Sequence, residues 1–416
     1  MPSRSKARFT SATAKRAWHP GATPPSPYGC RSKLMRILEM NYEFPPVGGG
    51  GGKATEDLAA ELSKLGHSIR VLTARQGNLP RLETCAGFEV ERIFAFRRQR
   101  DRCSVWEMIG YILMAVPAGL RSVCKFRPDA IHAHFAVPTG FAAWLVATLS
   151  RTPYVLTAHL GDVPGGTPEQ TDRFFRVIKP LTRPIWHHAA AITAVSSFVA
   201  RLARDAYGLE AIVIPNGVDV EKSPAIPRAP RETIKLIFAG RMVAQKNLTW
   251  GLERLAAVKD RNWTLDLCGD GPSRAALERH CAALGLSDRV TFHGWVTPDD
   301  VDLAMSTSDV LFMPSLSEGL SLVAINALAH GLALACSRIE GFADVLVENE
   351  NGVSAPLDDA AGFERALGRL LDDRDQLLRM KLASRAKAAS FDRRAIAARY
   401  EQVLQSAASK LSKGRK

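Results

Sequence analysis

Residues 313–331 read Met-Pro-Ser-Leu-Ser-Glu-Gly-Leu-Ser-Leu-Val-Ala-Ile-Asn-Ala-Leu-Ala-His-Gly. The apolar strand Val310–Met313 ends where this stretch begins, a polar loop then presents Glu318 and Gly319, and a helix follows the loop. The first N–H groups of a helix have no partner within it, so they bind anions such as phosphate. A carboxylate beside such a helix start suits sugar hydroxyls next to a diphosphate. The stretch therefore predicts an α/β domain with a phosphate pocket at the carboxyl end of a strand.

The same alternation of short strands and helices extends around this segment. Four further strands, with helices between them, are predicted in the second half of the chain: Lys235–Ala239, Thr264–Cys268, Val290–His293 and Leu332–Cys336. This pattern is typical of a parallel sheet with helices on both faces. The amphipathic tail Asp375–Leu411 is predicted to be helical, and it either packs on this domain or crosses back to the first.

The first half of the chain shows an equivalent pattern. Its predicted strands are Arg36–Met40, Ser68–Thr73, Phe88–Ile93, Ala130–His134, Tyr154–Ala158, Ala191–Ala194 and Ala211–Ile214. Its predicted helices are Ala54–Leu65, Trp106–Lys125, Phe141–Leu149, Pro168–His187 and Ser197–Tyr207. We therefore predict two doubly wound, Rossmann-like α/β domains, residues 34–222 and 233–416, joined by a proline-rich linker at 223–232. Ligands of such sheets bind beyond the carboxyl ends of the strands, so the site is expected in the cleft between the domains.

Composition narrows the class of protein. The chain has 416 residues, enough for two domains, and its seven cysteines form no C-x-x-C pair, which indicates reduced thiols and a cytoplasmic location. Residues 1–33 contain seven Lys and Arg and no acidic residue, so we expect a disordered basic tail. Nucleic acid is excluded as the preferred partner because no basic stripe interleaved with aromatic residues is found.

The apolar stretch Val105–Leu120 is not predicted to span a membrane, because it contains Glu107 and Pro117 and is shorter than the roughly 20 residues a span needs. Four arginines precede it, at positions 97, 98, 100 and 102. This arrangement suits a helix on an anionic membrane surface. A solvated loop followed by a core helix is the interpretation we prefer.

Two loops supply candidate phosphate ligands. The glycines of Val47–Lys53 follow the first strand and precede a helix, so Gly49 and Gly50 can present N–H groups to an anion. The segment lacks the pattern of a Walker A loop, since Val47 and Ala54 occupy two of its defining positions. Arg241 and Lys246 follow the first strand of the second domain, where two cations suit a nucleotide diphosphate.

The chain resembles the family-4 glycosyltransferases, which are retaining enzymes of the GT-B fold. The resemblance rests on segments whose order and spacing match throughout residues 34–416: Asn41–Gly49, Leu65–His67, His132–His134, Leu156–Asp162, Ile214–Asp219, Gly240–Lys246, Gly269–Pro272 and Pro314–Gly319. It implies a sugar transferred from a nucleotide diphosphate donor, a UDP- or GDP-sugar, to a glycan or lipid-linked acceptor. It also implies that no metal or other cofactor is needed.

The resemblance also implies roles for individual residues. Glu318 is expected to hold a donor-sugar hydroxyl, Arg241 and Lys246 to neutralise the leaving diphosphate, and His159 to line the sugar pocket. Gly49 and Gly50 are expected to approach the phosphates, and Leu320 and Ser321 to bind the donor at the helix start. No protein nucleophile is implied, because the leaving phosphate accepts the acceptor's proton.

One position departs from the family pattern. A second glutamate ordinarily lies eight residues beyond the first and holds the ribose, but this chain has Asn326 there. An amide has one accepting oxygen, whereas a carboxylate has two. We therefore expect an active enzyme with weak donor binding, and we expect Asn326→Glu to tighten it.

Two further patterns are interpreted as structural. Asp300-Val-Asp302 resembles a metal-binding D-x-D, but Thr297 and Pro298 before it predict a helix start capped by Thr297. His132 and His134 lie on one face of a strand, but no third metal ligand is evident nearby in the sequence.

The function predicted from sequence is thus a retaining glycosyltransferase in envelope or exopolysaccharide synthesis, cytoplasmic or peripheral at the inner face of the membrane. An anionic membrane surface is the further partner considered. Two alternatives stay open: a catalytically impaired sugar-nucleotide-binding protein, and a sugar-nucleotide epimerase of the same fold.

Overall fold

The computed structural model describes residues 33–99, 103–166, 168–223 and 226–413, with side chains described outside 168–177 and 411–413. Leu34–Lys416 forms one compact unit that contains two parallel-sheet α/β domains. The predicted basic tail, residues 1–33, lies outside the described residues except for Lys33.

The first sheet has eight strands. They are β1 (Arg36–Met40), β2 (Ser68–Gln76), β3 (Leu82–Cys85), β4 (Phe88–Arg97), β5 (Ala130–His134), β6 (Tyr154–Ala158), β7 (Ala191–Ala194) and β8 (Ile212–Val213). Their order is β3-β4-β2-β1-β5-β6-β7-β8, and each neighbouring pair is parallel except β3 with β4. The helices of this half are α1 (Gly50–Lys64), α2 (Val105–Phe126), α3 (Phe141–Ser150), α4 (Pro168–His187) and α5 (Ser197–Tyr207).

The second sheet is parallel throughout. Its strands are β9 (Ile234–Ala239), β10 (Trp263–Cys268), β11 (Val290–Gly294), β12 (Val310–Met313), β13 (Ala333–Ser337) and β14 (Gly352–Ala355), in the order β11-β10-β9-β12-β13-β14. The accompanying helices are α6 (Leu248–Ala256), α7 (Arg274–Ala283), α8 (Pro298–Ser306), α9 (Leu322–Ala329), α10 (Ala360–Asp372), α11 (Arg374–Ala388) and α12 (Arg393–Lys413). The predicted GT-B class, two α/β parallel-sheet domains, is confirmed.

The helical tail divides at Asp392, and its two parts lie on different domains. Leu377 and Met380 of α11 belong to the core of the second domain. Ile396 and Tyr400 of α12 pack with Ile37 of the first sheet. The last helix therefore crosses back and ties the end of the chain to the first domain.

Helix α2 has one buried face and one exposed face. It runs for 22 residues, and by length and composition it could cross a membrane, yet only one-third of its most apolar window is buried. Tyr111, Ala115 and Ala118 on its inner face are buried against the domain. Helix α2 therefore packs on the domain through one face, as expected of a core helix, and leaves Trp106, Ile109 and Leu113 exposed on the other face.

Candidate active site

The loop after β12 carries the best-defined polar contact of the cleft. Lys246 Nζ lies 2.6 Å from Glu318 Oε1, and Ser315 Oγ donates to the same oxygen at 2.7 Å. Glu318 is 7% exposed, so this ion pair is largely shielded from water. Gln245 links the loop after β9 to the loop after β12. Its side-chain amide donates to the Ser317 carbonyl at 2.9 Å, and its backbone carbonyl accepts from Leu316 N. The structure thus brings two predicted site residues into direct contact.

Arg241 begins the loop that follows β9, at the same carboxyl edge of the sheet, and it is exposed. Lys246 closes this loop in a short turn at Ala244–Lys246. Because β9 and β12 are neighbouring parallel strands, the loop that carries both predicted cations lies beside the loop of Glu318, a position suited to a diphosphate.

The glycine loop of the first domain faces the start of α9. Helix α1 begins at Gly50, with Gly49 as its N-cap, and the Gly49 N–H donates to Glu43 Oε2 at 3.0 Å. A Cβ placed on Gly50 would lie 3.1 Å from Leu322 Cδ1, so the two domains approach closely here. Glu43 thus caps the α1 N-terminus, where the sequence predicts a phosphate.

His159 enters the cleft from the carboxyl end of β6. Its ring stacks on Phe135, with centroids 4.2 Å apart, and its Nε2 lies 3.4 Å from His134 Nδ1. Burial, together with the neighbouring His134, holds the pKa of His159 well below its usual range, so the ring is neutral. A Cβ placed on Gly319 would lie 2.7 Å from Leu160 Cβ. The neighbours of His159 and Glu318 therefore touch across the cleft.

A cavity of about 560 Å³ opens beside Glu318. Gly166 and Phe198 line it from the first domain, and Arg338 and Gly341 line it from the second. Because both domains contribute to it, the cavity has the position expected for a donor sugar or an acceptor.

Leu320 and Ser321 precede α9. Leu320 is 8% exposed, and the Ser321 hydroxyl accepts from Ala324 N at 3.2 Å, which caps the helix. The Ser321 oxygen is therefore engaged in the helix cap, and the N–H groups that α9 offers to a ligand are those of its first turn.

Asn326 makes a local contact that the sequence did not indicate. Its Nδ2 donates to Asp302 Oδ1 of α8 at 2.7 Å. His330 and Lys222 also lie against this carboxylate, at 3.6 and 3.1 Å. Partial burial raises the pKa of Asp302, but the nearby His330 and the hydrogen bonds from Asn326 and Lys222 outweigh it, so the net shift of the pKa is strongly downward. Asn326 therefore stabilises a carboxylate beside the expected ribose position.

This contact changes what is expected of Asn326→Glu. A glutamate would place a second carboxylate against Asp302, so the free energy of unfolding at pH 7 should fall by about 1.5–3 kcal/mol, the range of a lost charge-assisted hydrogen bond. Asn326→Gln, which keeps the amide, should lose less. Chemical denaturation of both variants measures this, and nucleotide titration into the same samples tests the ribose role. A Glu variant as stable as the parent would show that the Asp302 contact is unimportant.

A buried cluster below the cleft contains a third potential metal ligand, Glu39, which the sequence analysis missed. Glu39 Oε2 lies 3.0 Å from His132 Nδ1 and 3.3 Å from His134 Nε2, and all three side chains are buried. Strand register explains the contact, because Glu39 of β1 pairs with His132 of β5. Burial raises the pKa of Glu39, but the two histidines outweigh it and lower the pKa to about 2. The expectation that no third potential metal ligand lies nearby was therefore wrong.

Burial and the neighbouring His132 lower the pKa of His134 to about 4. In the folded protein His134 thus stays neutral at pH values at which an unfolded histidine, with a pKa near 6.5, is protonated. The stability that the neutral His134 contributes is therefore fully present above pH 6.5 and is lost as the pH falls towards 4. At pH 5 this costs about 2 kcal/mol relative to pH 7.5. The stability difference between the parent and His134→Gln should shrink by that amount between the two pH values.

Denaturation curves of both proteins at pH 7.5 and 5.0 measure this difference. Burial raises the pKa of Asp162 to about 8, which acts in the opposite sense, but this residue is common to both proteins and cancels. His187→Gln, at an exposed position, is the matched control. Identical pH dependence in the parent and in His134→Gln would contradict the prediction.

The helix start predicted at Thr297 is confirmed. The Thr297 hydroxyl accepts from Asp300 N at 3.2 Å, and the Asp300 carboxylate accepts in turn from Thr297 N at 3.1 Å. The first carboxylate of the D-x-D pattern is therefore used as a helix cap, and the second, Asp302, is held by Asn326.

Comparison with known proteins identifies the family. Residues 48–222 match Glycosyltransferase Family 4, and residues 233–373 match Glycosyl transferases group 1. The chain is 30% identical over 395 residues to D-inositol 3-phosphate glycosyltransferase of Nocardia farcinica, an alignment that covers 87% of this chain and 86% of that protein.

Two solved structures share the fold. Sucrose-phosphate synthase from Thermosynechococcus elongatus superposes with a TM-score of 0.75 at 21% identity, covering 88% of this chain and 97% of that one. HepE of Anabaena in complex with UDP-glucose superposes with a TM-score of 0.68 at 18% identity, covering 89% and 99%. The family matches and the fold together define a glycosyltransferase of the GT-B type. The chain belongs to glycosyltransferase family 4.

Proposed function

We propose that this enzyme transfers a hexose-type sugar, with retention of configuration, from a UDP- or GDP-sugar to a glycan or lipid-linked acceptor. The proposal places it in envelope or exopolysaccharide synthesis, in the cytoplasm or at the inner face of the membrane. The observation that carries it is the Lys246–Glu318 ion pair, 2.6 Å long, beside the start of α9. HepE, which shares the fold, was crystallised with UDP-glucose. By analogy, we favour a uridine nucleotide as the donor of this enzyme.

In the proposed reaction the diphosphate lies between Arg241, Lys246 and the first turn of α9. These groups stabilise the charge that grows on the leaving phosphate as the glycosidic bond breaks. Glu318 accepts a hydrogen bond from a sugar hydroxyl and so orients the ring. The neutral ring of His159 lines the sugar pocket from the opposite wall.

Retention follows from attack on the same face as departure, with the leaving phosphate accepting the proton of the acceptor hydroxyl. A double displacement needs a protein nucleophile, such as a carboxylate, against the face of the sugar opposite the leaving phosphate. In the described part of the cleft, Glu318 instead faces the ammonium of Lys246.

The proposal is tested by incubating the purified enzyme with UDP- and GDP-sugars and a panel of glycan and lipid-linked acceptors. Release of nucleotide diphosphate that depends on the acceptor, with the product anomer identified by NMR, supports it. An inverted anomer excludes the retaining mechanism. Conversion of the donor to another sugar nucleotide without acceptor would instead indicate an epimerase.

Metal independence is a separate expectation. Because Arg241 and Lys246 neutralise the phosphates and Asp300 caps α8, chelation with EDTA should leave the transfer rate within about twofold of the untreated enzyme. A parallel reaction with added manganese is the control. Loss of turnover in EDTA that manganese or magnesium restores would contradict the expectation.

A further inference from the structure

Helix α2 presents an apolar stripe to the outside of the first domain. Trp106 is 80% exposed, Leu113 is 68% exposed and Ile109 is 40% exposed. Their spacing of three and four residues places them on one helical face. Within the described residues the opposite face, with Tyr111 and Ala115, is the one that packs on the domain.

Two aromatic rings of the adjacent strand extend this stripe. Phe94 and Phe96 of β4 are 51% and 57% exposed, and their ring centroids lie 4.6 Å apart. A Cβ placed on Gly110 would lie 2.7 Å from Phe96 Cδ2, so the ring of Phe96 rests directly on α2. We call the surface of Phe94, Phe96, Trp106, Ile109 and Leu113 the α2 patch. Contiguous exposed apolar surface of this kind marks an interaction site.

The charges around the α2 patch favour a lipid surface over a protein. Exposed basic residues flank it at both ends, with Arg98 before the helix and Lys125 and Arg127 at its end. The single acid of α2, Glu107, is used as a helix cap, because it accepts from Ser104 N at 2.6 Å and Arg98 N at 2.8 Å. Cations beside aromatic and aliphatic side chains match the interface of an anionic bilayer.

The position of the patch is suited to a membrane-bound acceptor. Strand β4 is parallel to β2, which is parallel to β1, so its carboxyl end with Phe96 lies at the sheet edge that also faces the cleft. Helix α2 starts just beyond this edge, and its 22 residues extend about 33 Å along the domain surface. A bilayer on the patch therefore lies next to the mouth of the cleft.

We propose that the first domain docks on an anionic lipid bilayer through the α2 patch, with α2 lying in the plane of the interface, and so takes lipid-linked acceptors from that bilayer. The choice of acceptor rests on the proposed function, whereas the docking does not. The inner face of α2 is packed on its domain, which keeps the helix from crossing the membrane.

Co-sedimentation of the full chain with vesicles tests the docking without turnover. The parent protein should bind vesicles of phosphatidylcholine with 30% phosphatidylglycerol, and binding should fall about tenfold or more on pure phosphatidylcholine or in high salt. Leu113→Glu should lower the partition coefficient on anionic vesicles by about tenfold or more. The matched control is Leu303→Glu on α8, because Leu303 is 67% exposed but lies on the second domain, and it should bind as the parent does.

Tryptophan fluorescence identifies the surface in contact. Vesicles with brominated acyl chains should quench the parent, and Trp106→Phe, compared with the parent at an equal vesicle-bound fraction, should lose most of this quenching. Absence of binding to anionic vesicles, or equal binding by Leu113→Glu and the parent, would overturn the proposal. So would a parent dimer that Leu113→Glu dissociates with vesicle binding unchanged, since a second copy would then cover the patch. Vesicle binding without any nucleotide binding would refute the proposed function and leave the docking standing.

Discussion

Lys246→Ala and Arg241→Ala should each lower the turnover number on the order of ten- to a thousand-fold, as loss of a charge-stabilising donor does. The reason is that each removes a cation from a leaving group whose negative charge grows towards the transition state. Lys246→Ala has a second effect, because it removes the cation from the Glu318 carboxylate, which is 7% exposed and among the described residues then retains the hydrogen bond from the Ser315 hydroxyl. Steady-state kinetics with saturating donor measures the change.

Lys259→Ala is the matched control, because this exposed lysine lies near the amino end of β10, away from the carboxyl edge. It should keep the parent's turnover number. Thermal unfolding of all three variants shows whether lost activity reflects lost folding. Parent-like turnover in folded Lys246→Ala and Arg241→Ala would place the site elsewhere.

Glu318→Ala should lower turnover on the order of a hundredfold, because a sugar displaced by about 1 Å from its reactive position reacts far more slowly. The nucleotide diphosphate is expected to bind through Arg241 and Lys246, which this variant keeps. Its affinity should therefore change only several-fold. Glu318→Gln keeps the shape of the side chain and should lose less activity than the alanine variant. Kinetics and calorimetric titration with the nucleotide diphosphate together separate the two effects.

Glu350→Ala is the control for this pair, since Glu350 is exposed and precedes β14 at its amino end. A Glu318→Ala enzyme that loses nucleotide affinity in proportion to its turnover would mean that Glu318 serves the phosphates and not the sugar. A variant that transfers sugar at the parent rate would remove Glu318 from the site.

Several largely apolar strands were predictable to the residue. Tyr154–Ala158, Ala191–Ala194 and Val310–Met313 have the predicted bounds, because strands buried on both faces read as short apolar runs. Leu82–Cys85 was missed since it is a four-residue antiparallel edge strand without a clear pattern, and Gly352–Ala355 was missed because Gly and Ser are weak strand formers.

Helix α1 begins four residues before its predicted start at Ala54. Glycines disfavour helices in isolation, but here the Glu43 carboxylate accepts the N–H of the N-cap residue Gly49. A contact with a residue six positions earlier thus accompanies a helix start that the local propensity disfavours.

The placement of Lys246 and Glu318 in one cleft followed from sequence, because ligands of such sheets bind beyond the carboxyl ends of the strands, but their direct ion pair did not. The roles of Glu39 and Asp302 could not be predicted in the same way. Each depends on a pairing of distant elements, the register of Glu39 with His132 and the packing of α8 on α9. The one signal of the buried cluster in the local sequence was Glu39 itself, an acidic residue in the otherwise apolar carboxyl end of β1.

Calorimetric titration of UDP and GDP into the parent enzyme and into the double variant Arg241→Ala/Lys246→Ala tests most directly whether a nucleotide diphosphate binds at this edge. We expect one of the two nucleotides to bind the parent at one site per chain, and the double variant to bind it about a hundredfold more weakly or not at all, since two charge-assisted contacts are lost. Equal affinity in both proteins, or no binding of either nucleotide to the folded parent, would contradict the proposed site.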